Sequence, residues 1–207
     1  MTTPLLPARH SGAWATMTVL ALIIALYAAA VAILPRFGPP FVADRKAAMP
    51  LAIYAHLVGG MLALALGPWQ FNARIRQRML RVHRWTGRGY IVSVLVGGAG
   101  ALALAPYSMQ GFVTHLGFGM LATLWLLTTA IAYARIREGD IAAHRRWMTR
   151  SYALTLAAVT LRIWLPISQI AGMPFADAYQ AVAWFCWVPN LIVAEWIVIA
   201  RLEPVSS

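Results

Sequence analysis

His56-Leu-Val-Gly-Gly-Met-Leu-Ala63 and His115-Leu-Gly-Phe-Gly-Met-Leu-Ala122 are two versions of one stretch, and reading them together decides the fold. Each leads to the same basic tetrapeptide, Ala73-Arg-Ile-Arg76 and Ala134-Arg-Ile-Arg137. Each closes on a histidine and an aromatic, in His83-Arg-Trp-Thr-Gly-Arg-Gly-Tyr90 and His144-Arg-Arg-Trp-Met-Thr-Arg-Ser-Tyr152. Equivalent positions are offset by 59, 61, 61 and 62 residues, a drift that small insertions explain. Residues 56–90 and 115–152 are therefore a tandem duplication. Four of the five histidines stand at its matched positions.

The medium around this repeat follows from composition. Of 207 residues, 61% are hydrophobic and 11% charged, and the mean hydropathy is +0.68. A soluble domain carries about a quarter charged residues, so the chain reads as one integral membrane domain over residues 1–207. The net charge of +11 sits in short segments between apolar runs. There it signals topology and meets lipid headgroups; it does not mark a nucleic-acid interface. The single cysteine, Cys186, excludes an intramolecular disulfide and any multi-cysteine metal site.

Six apolar runs each approach the ~20 residues that cross ~30 Å of hydrocarbon. They cover about 14–34, 51–71, 81–105, 112–133, 146–165 (breaking at Pro166) and 179–200, with a Pro- and Gly-rich loop expected over 35–50. The first helix belongs to an N-terminal segment, residues 1–44. The connections after the second and fourth runs hold eleven Lys and Arg, against three (Arg36, Arg45, Lys46) on the opposite side. The positive-inside rule makes the arginine loops, and with them both termini, cytoplasmic. The expected fold is all-α, with a central four-helix bundle built from the two-helix repeat.

That topology puts His56 and His115 near the outer ends of helices and His83 and His144 at the inner face, with the two layers roughly 20 Å apart by helical rise. Tandem repeats of one orientation are related by an axis along the membrane normal, which turns His56 toward His115 and His83 toward His144. Zinc needs three or four protein ligands, and neither layer has them. Haem needs only axial ligands from the protein, so each layer suits one haem b. Gly60 and Gly119, four residues after their histidines, leave room for a flat macrocycle. Arg88, Arg150 and Arg162 are candidates for propionate contacts. The plainer readings are that the histidines and glycines brace helices and that the arginines meet phosphate headgroups. Electron transfer between the faces implies a quinone or a redox protein as exchange partner. A solute transporter using Arg162 and Glu195, or an accessory subunit, are the alternatives from other classes.

His56-x-x-Gly-Gly, Gly67-Pro-x-Gln-Phe71, His83-Arg-x-x-Gly-Arg-x-Tyr90, His144-Arg-Arg-Trp-Met-x-Arg150, Leu161-Arg162 and Trp187-Val-Pro-Asn190 resemble the bacterial membrane-protein family known as domain of unknown function 2306, over about residues 45–200. The resemblance implies a multi-pass protein of the bacterial inner membrane and no established activity. The six-helix plan is more loosely similar to di-haem transmembrane cytochromes of the b-561 type, which implies histidine pairs contributed by different helices. His83-Arg-Trp-Thr-Gly-Arg88 also resembles the haem-ligating string of ferric reductases. Their second ligand, thirteen or fourteen residues further along the same helix, is missing here, where the chain reads Val96-Gly97-Gly98.

Overall fold

The computed structural model describes residues 9–34 and 37–200. Arg36 and most of the polar N-terminal segment lie outside them. The described chain forms α1 (Arg9–Ile33), α2 (Pro40–Ala48), α3 (Pro50–Gln70), α4 (Ala73–Arg78), α5 (Leu80–Leu104), α6 (Phe112–Arg137), α7 (Ile141–Thr155), α8 (Ala157–Ile170), α9 (Phe175–Phe185) and α10 (Val188–Ala200). Six spans are long and apolar enough to cross a membrane: α1, α3, α5, α6, α7 with α8, and α9 with α10. Their outward faces carry bare apolar side chains, such as Leu26, Leu51, Ile170 and Trp196. Water would not tolerate that belt, but hydrocarbon does.

Several boundaries depart from the sequence reading. The expected loop over 35–50 contains α2, because Pro40 occupies the first helical position, where its fixed φ helps and its missing N–H costs nothing. Val42 then packs with Val31, Ile53 and Leu57. Lys46 turns back to the Val31 carbonyl and Arg45 donates to Tyr107 O at 2.6 Å, so both basic residues close helix ends on this side. The fifth span breaks at Leu156 instead of Pro166, which sits inside α8. Thr155 donates to Ser151 O and Thr160 to Leu156 O, back-bonding that bends helices. The sixth span breaks at Cys186-Trp187. Pro189 has no N–H to offer the preceding turn, and the Cys186 carbonyl is met instead by Asn190 Nδ2 at 3.0 Å and by Thr160 Oγ1.

The two copies also diverge at their shared tetrapeptide. Ala134–Arg137 simply continues α6, and the chain turns through Gly139 (φ +84°) before Asp140 caps α7 by accepting from Ala143 N at 2.8 Å. Ala73–Arg76 instead starts the separate α4, capped by Asn72 Oδ1 accepting from Arg74 N and Ile75 N. Copy one has Pro68 and Asn72 where copy two has Thr129 and Tyr133, and that difference ends α3 early.

Packing closes the repeat into a ring. Helix α3 lies along α5, α5 along α6, α6 along α7, and α7 returns to α3. The equivalent helices of the two copies, α3 with α6 and α5 with α7, thus occupy the diagonals. The α3–α5 seam is backbone against backbone: a Cβ on Gly59 would meet Gly97 Cα at 2.5 Å and Ser93 O at 2.6 Å. Gly100 is equally tight against Ala52 O, at 2.5 Å. Such small-residue seams let helices associate where no hydrophobic effect drives them.

Across the α5/α7 diagonal the contact is polar and dry. Tyr90 Oη lies 2.8 Å from both Ser151 Oγ and Thr155 Oγ1. Trp125 Nε1 donates to Thr155 Oγ1 at 2.9 Å, and Thr129 Oγ1 pairs with Ser151 Oγ at 2.7 Å. Tyr90, Thr129 and Ser151 are fully buried. Tyr90→Phe removes the bridge but leaves Ser151 and Thr155 their other partners. The expected loss is therefore about 1 kcal/mol in reversible denaturation in mixed detergent, with the fold intact.

Candidate functional site

The inner histidines are brought together. His83 and His144 are each the fourth residue of their helices, α5 and α7, on opposite corners of the ring. They lie within electrostatic reach of each other, with Arg76, Arg84 and Arg145 around His83. His144 Nδ1 sits 2.8 Å from Ala132 O. Donating there fixes the ring and leaves Nε2 with its lone pair, the orientation a ligating imidazole takes from a backbone carbonyl. His83 Nδ1 is buried and makes no hydrogen bond among the described residues, which is rare for a buried polar atom.

Deeper in the bundle stand the next matched residues, Tyr90 and Tyr152, seven and eight positions on, with ring centroids 6.3 Å apart. Tyr152 fits against Gly67, where a Cβ would overlap its ring, and against Phe71 at 5.2 Å. Its hydroxyl is the second buried polar atom without a partner among the described residues. The sequence reading set these tyrosines aside as the ends of the repeat. Their spacing from the histidines, two helical turns on the same face, was the signal available.

The outer histidines are anchored on different parts of the bundle. His56 Nδ1 lies 3.2 Å from Gly97 O, in the body of α5. His115 Nε2 lies 3.0 Å from Ser108 O, beyond the end of α5. The stretch of α5 from Gly97 to Leu104 alone separates those two anchors by about 10 Å of helical rise. The His115 ring, with the Ser108 and Thr114 hydroxyls, organises the α5–α6 turn.

The remaining candidates separate as clearly. Gly60 has nothing within 4 Å of where a Cβ would be, whereas Gly119 approaches the Ala105 side chain at 3.7 Å. Arg150 holds Glu195 in a fork, at 2.6 and 2.7 Å, and lies over the Trp147 ring at 4.6 Å. Its guanidinium is thereby committed to a protein carboxylate, not to a propionate. Arg88 lies over Trp85 at 5.1 Å, in a surface hollow lined also by Leu80, Arg81 and Arg84. Arg162 and Glu195, expected to contact the solute in a transporter, each have protein partners and share none. Since Glu195 is 42% exposed, a double-mutant cycle on Arg150→Gln and Glu195→Gln should return a coupling of about 0.5–1 kcal/mol.

No three His, Cys, Asp or Glu side chains converge among the described residues. A metal ion held by protein ligands alone has no ligand set there, while axial ligation of a macrocycle asks for two nitrogens only.

A family model described as "Predicted membrane protein (DUF2306)" matches residues 53–198, the whole of the repeat and the last span. The chain belongs to this family. The match takes in all four paired histidines, the Gly59–Gly97 seam and Arg162. No curated protein and no solved structure matches the chain significantly.

Proposed function

We propose that this DUF2306 protein is a b-type haem protein of the bacterial inner membrane that passes electrons, with His83 and His144 as the axial ligands of its haem. One observation carries the reading: the matched histidines of the two copies stand on the α5/α7 diagonal within electrostatic reach, one ring held by Ala132 O and the other with a buried nitrogen unsatisfied. When bound, the group supplies a one-electron iron couple. Arg76, Arg84 and Arg145 surround His83 with positive charge, which favours the reduced state and suits ionised propionates. Tyr90, Tyr152 and Trp125, with Phe71 against them, pack the core deeper in the bundle. With the arginine connections cytoplasmic, this haem lies near the cytoplasmic face, where a quinone or a redox protein exchanges electrons with it.

The reading places one haem at the His83–His144 pair, so one haem per chain is the expected content. The test is a reduced-minus-oxidised spectrum of full-length protein purified from haem-replete cells. Soret and α bands at about one haem per chain support the proposal; protein that takes up none overturns it.

A further inference from the structure

Both copies of the repeat carry a tryptophan with an arginine three residues later, Trp85 with Arg88 and Trp147 with Arg150. In both, the guanidinium lies over the indole, at 5.1 and 4.6 Å. Their remaining surroundings differ. Arg150 is neutralised by Glu195, which α10 brings against α7. Arg88 has no such neighbour: α5 is packed along α3, α4 and α6, and none of these helices contains an Asp or Glu. Arg81 and Arg84, on the same face of α5, form no ion pair among the described residues either.

The three arginines line an open hollow of about 260 Å³ together with Leu80 and Trp85. It lies at the start of α5, where the span leaves its arginine-rich connection. Helical periodicity puts all five residues in one stripe, and the same stripe continues along α5 through Val92 and Leu95. Trp85, Val92 and Leu95 are all exposed. The surface is therefore graded along its length. Three cations lie within about 10 Å of helical rise, and bare apolar side chains follow for the hydrocarbon. The amino end of α5, capped by Met79 with no side-chain bond, adds its own positive potential at the charged end.

We infer that this hollow binds an anionic phospholipid, with its phosphate held by Arg81, Arg84 and Arg88 and an acyl chain lying along Val92 and Leu95. Charge complementarity selects the head. Three guanidiniums with no acidic residue on any helix packed against them take their counter-ion from outside the chain, as Arg150 takes Glu195 from outside the repeat. A guanidinium fork matches phosphate oxygens bidentately, whereas a zwitterionic headgroup brings a cation of its own into the cluster. The apolar continuation selects the tail, which a free phosphate lacks. Trp85 stands between the two, at the headgroup level where indole rings collect.

The test uses full-length protein in an uncharged detergent and reads binding by thermal unfolding and native mass spectrometry. Phosphatidylglycerol should bind saturably and raise the unfolding midpoint by about 5 °C at saturation. Phosphatidylcholine with the same acyl chains, and inorganic phosphate, should each bind at least about tenfold more weakly. Arg81→Gln combined with Arg88→Gln should lose the preference for phosphatidylglycerol. Arg135→Gln combined with Arg137→Gln removes the same two charges from the other basic connection and should keep it. All four side chains are exposed, so both double variants should fold. Equal binding of phosphatidylcholine or of inorganic phosphate by the natural protein overturns the proposal without needing any variant. So does an unchanged preference in the Arg81 and Arg88 variant, or an equal loss in both variants, which would make the attraction a property of the net charge of +11 and not of the hollow.

Discussion

Alanine at His83 and alanine at His144 should each abolish the same haem absorbance, lowering haem retained per chain at least about tenfold, while alanine at His56 or His115 leaves the spectrum in place. The expectation follows from where the rings are anchored. His144 is oriented by Ala132 O and lies within electrostatic reach of His83, so on the proposed ligation removing either leaves the iron with one protein ligand. His115 is spent on Ser108 O, and its loss removes one hydrogen bond from a turn, about 1 kcal/mol, without reaching the inner half. Optical spectra and pyridine-haemochrome stoichiometry on the four single variants decide it. Should His56→Ala and His115→Ala extinguish the spectrum while His83→Ala keeps it, the inner assignment is wrong and the outer layer is the site.

The repeat itself made most of the architecture legible. Apolar length yields six spans, and the helices of the two copies follow one another around the ring in the order α3–α5–α6–α7. What stayed hidden is how similar residues are used differently. His56 and His115 are equivalent in sequence, yet one anchors on helix α5 and the other on the turn after it, because the α5–α6 connection has no counterpart in the first copy. Arg88 and Arg150 are likewise matched, but only Arg150 finds a carboxylate, supplied by α10, an element outside the repeat. Hydrogen-bond partners distant in sequence, such as Tyr90 with Ser151 and Thr155, leave no periodic trace. Pro166 shows the limit of local rules: it reads as a helix end, but the helix end is set ten residues earlier by threonine back-bonding.

Two adjacent glycines should respond in opposite ways. Gly59→Ala forces a methyl into the Gly97 and Ser93 backbone, where no side chain can turn aside, so α3 and α5 must separate. Overpacking of a well-filled site costs about 1–3 kcal/mol, and Gly59→Leu should exceed that and prevent recovery of folded protein. Gly60→Ala meets nothing within 4 Å and gains the helix preference of alanine over glycine, up to about 1 kcal/mol. Unfolding in mixed detergent, with size-exclusion recovery, measures both. Gly60→Leu should likewise remain folded, since nothing lies within 4 Å of where its Cβ would be. If Gly60→Leu unfolds the protein as Gly59→Leu does, both glycines belong to the α3–α5 seam and the contrast between them is wrong.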